Sequence, residues 1–184
     1  AEASDVATAI YDGADALMLS AETAIGNYPN ESIQMMDKII VKVESDPLYF
    51  TINEASHVKA ESTAEDAITE SAKYVARIMS AKAVVTYTTS GSTALRAARE
   101  RPDVPIMGIS PNLNTSRRLS LVWGVHCIHT SDATSFKDMV LKAGRLAKKE
   151  KFAKQGDHVV ITAGVPFGQS GATNVLRIAS VDRY

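Results

Sequence analysis

Thr86-Tyr87-Thr88-Thr89-Ser90-Gly91-Ser92-Thr93 is the stretch that decides the fold. It leaves an apolar run of strand length, Ala83–Tyr87, and passes through small hydroxyl residues into a helical pattern over Ser92–Glu100. A strand that turns directly into a helix opens a βα unit, and the pattern recurs downstream. Strands read at Val104–Ile109, Val125–Ile128, Val159–Ala163 and Val175–Val181, with helices at Thr115–Leu121 and Ser135–Phe152. This alternation predicts an α/β fold, a mostly parallel sheet of about five strands with helices on both faces. No helix separates the last two strands, so the final one is expected to run antiparallel at an edge. Upstream, Ser62-Thr63-Ala64-Glu65 reads as a capping box, with Ser62 as cap and Glu65 reaching back. Ala67, Ile68, Ala72, Val75, Ala76 and Met79 follow at helical spacing.

The first quarter of the chain has a different look. Ser4–Ile10 reads as a short helix ended by Asp12-Gly13. Ala14–Ser20 is a near-continuous apolar run, of the kind found in a parallel strand buried on both faces. A second helix is expected from an Asn30 cap, placing Ile33, Met36, Ile40 and Val43 on one face until Asp46-Pro47 stops it. Residues 47–61 show no clean period and read as a connector. One parallel strand cannot make a sheet, so this segment is expected to lean on something the sequence does not contain.

With 184 residues, 45% hydrophobic and 22% charged at net charge −1, the chain has an ordinary α/β composition. The near-neutral balance argues against nucleic acid or an acidic membrane surface as partner, because both reward clustered positive charge. No stretch reaches the roughly 20 consecutive apolar residues of a membrane helix, and no secretory signal is visible at the N-terminus. The single Cys127 excludes a disulfide framework and fits a reducing cytoplasm; it reads as a small buried apolar residue. His57, His126, His129 and His158 are scattered without metal-ligand spacing.

Chemistry concentrates in two loops. The Thr88–Thr93 turn offers free backbone amides and the positive end of a helix dipole, with hydroxyls from Thr88, Ser90, Ser92 and Thr93. That is the makeup of a phosphate or carboxylate pocket, and equally of a helix cap, for which Ser and Thr are the preferred residues. It is not a Walker loop, since Gly91 has no downstream Gly-Lys-Ser/Thr. The second loop, Gly164–Asn174, carries three glycines, a proline and two hydroxyls, and fits either a long hairpin connection or a ligand lid. Both follow strand ends, where ligands gather in parallel sheets, so one shared pocket is expected. Arg96, Arg99 and Arg101 lie on or just past the helix after the turn, with no direction readable from spacing.

Several of these stretches resemble the pyruvate kinase family. Met18-Leu19-Ser20-Ala21-Glu22-Thr23-Ala24-Ile25-Gly26, then Asn27-Tyr28-Pro29, with Ala1–Ala7 and Asp12–Ala16 ahead of it, is similar to the last strand of that family's catalytic barrel and the helix before it. Thr88–Thr93 followed by Ala94, Arg99, Arg101 and Pro102 is similar to its regulatory phosphate loop, and Ser170–Asn174 to its closing loop. The resemblance implies residues 1–46 as the C-terminal part of a (β/α)8 barrel, 47–61 as a connector and 62–184 as the regulatory α/β domain. It implies a cytoplasmic, homotetrameric, allosterically regulated glycolytic enzyme that moves a phosphoryl group from phosphoenolpyruvate to ADP. It also implies Mg²⁺ and K⁺ as cofactors whose ligands sit on earlier barrel strands, outside this chain, so that the chain alone should be inactive. Ser20 and Glu22 correspond to the edge of the catalytic rim. Thr88, Thr89, Ser90, Gly91, Ser92, Thr93, Ser170 and Gly171 correspond to the effector phosphate site, and no metal site is implied here.

The departures are informative. Ala21 stands where the family usually has glycine. Ser92 and Met139 stand where members regulated by fructose 1,6-bisphosphate use arginines, and the closing loop is one residue longer and uncharged. The phosphate cradle is kept and the bisphosphate clamps are lost, which favours AMP or a sugar monophosphate as effector. The alternative class is a freestanding α/β module that binds a phosphorylated metabolite. The orphan strand at Ala14–Ser20 discriminates between the two, because a complete module has no use for it.

Overall fold

The computed structural model describes residues 2–55, 60–167 and 172–182. It divides into two units, Ala1–Val58 and Lys59–Tyr184. The second is built on five strands: β1 (Val84–Tyr87), β2 (Ile106–Ser110), β3 (Val125–His129), β4 (His158–Ala163) and β5 (Val175–Ser180). Their order is β3-β2-β1-β4-β5, with β5 antiparallel to β4 and every other pairing parallel. The expected edge strand is therefore present. All residues of β1 and β2 are buried, as the Val- and Ile-rich runs require of strands covered on both faces.

Alternation along each strand splits the core in two. Val85, Tyr87, Met107, Ile109, Val159 and Ile161 face α8 (Phe136–Lys149), which contributes Met139, Ala143, Leu146 and Ala147. Val84 and Val160 face the other way, onto Ala72 and Ala76 of α5 (Ala64–Ile78). Ala97 and Ala98 of α6 (Ser92–Arg99) cover Ile106. A short helix α7 (Leu113–Leu119) links β2 to β3.

Local signals landed close to their marks, with corrections. Thr63, not Ser62, caps α5, accepting from the Asp66 amide at 3.3 Å. Asp66, not Glu65, reaches back, to the Glu61 amide at 2.8 Å; a shift of one residue keeps the box spacing. The expected helix at 115–121 spans 113–119, because Asn112 accepts from the amides of Asn114 and Thr115 and starts it early. At the opposite end of the sheet, left-handed residues follow three of the helices: Ser80 after α5, Arg101 after α6 and Lys151 after α8. The Ala81 amide then bonds the Ala76 carbonyl, and the Phe152 amide the Ala147 carbonyl, closing the orphan C-terminal groups.

The first unit holds α1 (Glu2–Tyr11), α2 (Ala21–Ala24), α3 (Pro29–Glu44) and α4 (Pro47–Ala55). Ile10, Val43 and Tyr49 form its small core. Helix α3 begins with Pro29 at its first turn rather than behind an Asn30 cap, proline's fixed φ taking the place of a side-chain cap. The stretch read as a connector forms α4 over its first nine residues, since burial of Tyr49 against Ile10 and Val43 compensates for the weak period. Ala14–Ser20 forms no strand among the described residues. A strand is defined by its ladder, and no neighbouring strand is present here to pair with it. Leu17 and Leu19 turn inward, while Met18 is 84% exposed.

Candidate effector site at the sheet switch point

The chain leaves β1 through α6 toward β2 on one side, and returns from β3 through α8 to β4 on the other. β1 and β4 are nevertheless neighbours. The crevice beyond their carboxyl ends is the topological switch point of this sheet, where ligands bind in open α/β folds. The two loops singled out in the sequence flank it, the Thr88–Gly91 turn after β1 and the 164–174 connection after β4.

The turn is held from below and from one side. Thr88 is 7% exposed, and its Oγ1 accepts from the Gly91 amide at 2.9 Å, so this hydroxyl shapes the turn. Gly91 sits at φ 100, in the left-handed region, and a Cβ there would lie 3.4 Å from Thr115 Cγ2. Thr115 Oγ1 donates to the Thr89 carbonyl at 3.0 Å, which ties the turn to α7. The first helical bond of α6 runs from the Leu95 amide to the Gly91 carbonyl, leaving the amides of Thr93 and Ala94 ahead of it without a helical acceptor. Gly91 provides no side-chain cap. Ser90 Oγ and Ser92 Oγ lie 3.1 Å apart on the exposed side, and Ser90 Oγ also accepts from the Ser92 amide at 3.4 Å, at the first residue of α6.

The two loops meet. Thr93 Oγ1 and Thr173 Oγ1 are 2.8 Å apart and buried, 80 residues apart in sequence. The base of the second loop is pinned by Asn174, whose side chain accepts from the Val165 amide at 2.9 Å and donates to the Val165 carbonyl at 2.7 Å. Ser170 and Gly171, expected at this site, lie outside the described residues.

One residue that the sequence reading missed stands at the turn. Arg118, on α7, donates from Nη2 to the Ser90 carbonyl at 3.1 Å and is exposed. The spacing from Thr115 and Leu119, both buried, places Arg118 at their flank, a signal legible only once α7 is known to pack beside the turn. The three arginines on or just past α6 are committed elsewhere. Arg96 and Arg99 grip Asp66 at 3.0 and 2.9 Å, and Arg99 also holds Glu100. Arg101 lies over the Trp123 ring at 4.6 Å. Burial pushes the Asp66 carboxyl up, but the Glu61 amide and then the Arg99 and Arg96 guanidinium groups outweigh it and hold the group below the ordinary carboxylate range. Met139 is fully buried on the sheet-facing side of α8, its carbonyl accepting from the Tyr87 hydroxyl at 2.8 Å, and adds no cation to the crevice.

In the first unit Ser20 and Glu22 are exposed and face each other, the Glu22 carboxylate accepting from the Ser20 amide at 3.0 Å. Glu22 thus closes its own helix start, a capping contact. Among the described residues no three His, Cys, Asp or Glu side chains converge to hold a metal, so the donor set does not fit Mg²⁺. His57 lies outside the described residues, and His126 pairs with Glu150 at 3.3 Å. Burial raises the Cys127 thiol, opposed by Ser116, which leaves it a packing residue. Among the described residues no helix is long and apolar enough to cross a membrane.

The sequence profile of the family described as "Pyruvate kinase, alpha/beta domain" matches residues 66–179. The chain belongs to the pyruvate kinase family. The profile described as "Pyruvate kinase, barrel domain" matches residues 1–33. A pyruvate kinase of Methylorubrum extorquens is 49% identical over all of this chain, and one of Geobacillus stearothermophilus 41% identical over 97% of it. A crystal structure of a pyruvate kinase from Cryptosporidium parvum superposes with a TM-score of 0.86 at 28% identity, over 98% of this chain and 36% of that one. The chain spans 38% of the length of the Methylorubrum enzyme and 30% of the Geobacillus enzyme. The relatives carry the name of a phosphotransferase, and the five-stranded α/β unit with its barrel-like leader is the part of them that this chain matches.

Proposed function

We propose that this chain supplies the effector-binding domain of a pyruvate kinase, and that the β1/β4 crevice takes a single phosphate group of an allosteric metabolite. The observation that carries the reading is the Thr93–Thr173 bond, which joins a helix N-terminus to the lid loop across the switch point. A phosphate in the crevice would accept from the Thr93 and Ala94 amides and from the Ser90, Ser92 and Thr93 hydroxyls. Thr89, Gly91, Ser170 and Gly171 complete the same two loops, and Thr88 braces the turn. Arg118 adds one cation at the rim. With Ser92 and Met139 in place of basic residues no second phosphate is clamped, so AMP or a sugar monophosphate is favoured over fructose 1,6-bisphosphate.

The parent enzyme, in this reading, is a cytoplasmic homotetramer of glycolysis that transfers the phosphoryl group of phosphoenolpyruvate to ADP, giving pyruvate and ATP. Mg²⁺ and K⁺ serve that transfer at a centre to which Ser20 and Glu22 contribute only the rim. Catalysis of this kind is positioning and electrostatic stabilisation by metal and cations, and the residues described here provide neither. Calorimetry with AMP, ribose 5-phosphate, glucose 6-phosphate and fructose 1,6-bisphosphate tests the effector reading. Heat from a monophosphate is expected. Silence from every monophosphate at millimolar concentration leaves the turn a helix cap, and tightest binding by the bisphosphate overturns the single-phosphate assignment.

A further inference from the structure

On the opposite face of the sheet from the α6 turn, α8 and β5 enclose a groove of about 320 Å³ lined by Phe136, Lys137, Val140, Leu141 and Arg177. That volume lies at the lower end of the range for small-molecule sites. The register explains the lining. Arg177 pairs with Ile161 and shares its face with Ala179, so the side chain stands on the α8 side. Phe136 and Val140 lie four residues apart, one turn of α8, and form an apolar wall. Phe136 is 51% exposed, yet its ring is braced edge-on by Phe167 with centroids 5.7 Å apart. An exposed ring held by a neighbour is an anchored surface.

The charges around the groove have one sign. Its two polar lining residues, Lys137 and Arg177, are cations, and neither side chain makes an ion pair or a hydrogen bond among the described residues. The nearest acid on the helix, Asp138, is turned away and taken up by the Thr134 amide at 3.0 Å and by Lys142 at 3.6 Å. We infer that the α8–β5 groove is a binding site for a small organic carboxylate with an aromatic body, the ring lying against Phe136 and Val140 and the carboxylate in the fork of Arg177. A guanidinium offers two parallel donors to a carboxylate, and an apolar ring wall suits a flat apolar partner. This site is separate from the β1/β4 crevice. The two share only the 164–174 connection, Phe167 on one side of the sheet and Thr173 on the other.

The test uses 3-phenylpropionate as probe and the uncharged 3-phenylpropanamide as control, titrated into the ¹⁵N-labelled chain. Amide shifts are expected to saturate and to be confined to residues 136–141 and 175–178, with the carboxylate binding about tenfold more tightly than the amide. Arg177→Gln lies on an exposed edge position, and is expected to fold normally and to weaken the carboxylate about tenfold while leaving the amide control unchanged. Phe136→Ala is expected to weaken both compounds. Equal binding of acid and amide, shifts scattered over the surface, no saturation by about 10 mM, or an Arg177→Gln variant that binds as well as the parent would each overturn the assignment. Repeating the titration with AMP present separates this groove from the effector crevice, since loss of the AMP response leaves the expected 136–141 shifts intact.

Discussion

At the level of single residues, the site divides into groups that hold the turn and groups that can greet a ligand. Ser90 and Thr93 belong to the second kind, and replacing both with alanine is expected to weaken monophosphate binding at least tenfold by calorimetry, or about 1.4 kcal/mol. The same change should cost about 1–2 kcal/mol of stability, since Ser90 Oγ gives up its long 3.4 Å bond from the Ser92 amide and Thr93 loses its buried partner Thr173. Asp66 is of the first kind. It is 2% exposed and neutralises two arginines that are one-third exposed, so Asp66→Asn is expected to destabilise by about 2 kcal/mol, less than the 3–5 kcal/mol of a fully buried pair. The sign of the pH effect follows from a depressed folded-state pKa. The contribution is full above the unfolded value of about 4 and is lost as pH falls through the lower folded value. Urea unfolding of wild type and variant should therefore differ at pH 7 and converge in strong acid. Equal pH profiles would show that Asp66 makes no net contribution. The hydroxyl turn was legible in the sequence because the residue types are themselves the signal. Arg118 was not, because its relevance depends on α7 packing beside a turn 28 residues earlier in the chain.

Among elements, the βα units were readable because a 2-residue period gives way to a 3.6-residue period at each strand end, and Gly91 marks the break. Boundaries moved by one or two residues wherever two capping candidates stood side by side, as with Ser62 and Thr63. The helix α4 escaped notice because its hold is one deep residue, Tyr49, rather than a repeated stripe. The strand expected at Ala14–Ser20 has the opposite cause, for its composition is that of a strand while no neighbouring strand pairs with it among the described residues. The turn between β1 and α6 offers an element-level prediction. Gly91→Ala forces a side chain into the left-handed region at a cost of about 1–2 kcal/mol. The nearest atoms, Thr115 Cγ2 and Leu119 Cδ2, stand at 3.4 and 3.5 Å and need not move, so the loss should come from backbone conformation alone. Thermal unfolding should fall accordingly. If the alanine instead relaxes the turn, the amides of Thr93 and Ala94 swing away, and effector binding should fall further than stability does.

For the molecule as a whole, the two units face different demands. The second has a covered sheet and two closed core layers. The first exposes Met18, Ile25, Ile33, Met35 and Val41, each more than half accessible, and Met18 and Met35 line a groove of about 590 Å³ between α1, residues 17–19 and α3. A chain of this kind, with no convergent metal ligands among its described residues, is expected to show no turnover with phosphoenolpyruvate, ADP, Mg²⁺ and K⁺ in a coupled assay. A rate within a factor of about ten of a relative of full length would contradict this, given how steeply rate follows barrier height. The left-handed helix ends at the floor of the sheet have a practical use. Ser80 at φ 49 and Lys151 at φ 64 are L-residues doing what glycine does without strain. Ser80→Gly and Lys151→Gly should each raise stability by about 0.5–1 kcal/mol, readable as a higher Tm with ligand binding unchanged. Floor and rim are thus separate dials, and a protein engineer can harden this domain at one end without detuning its response to metabolites at the other.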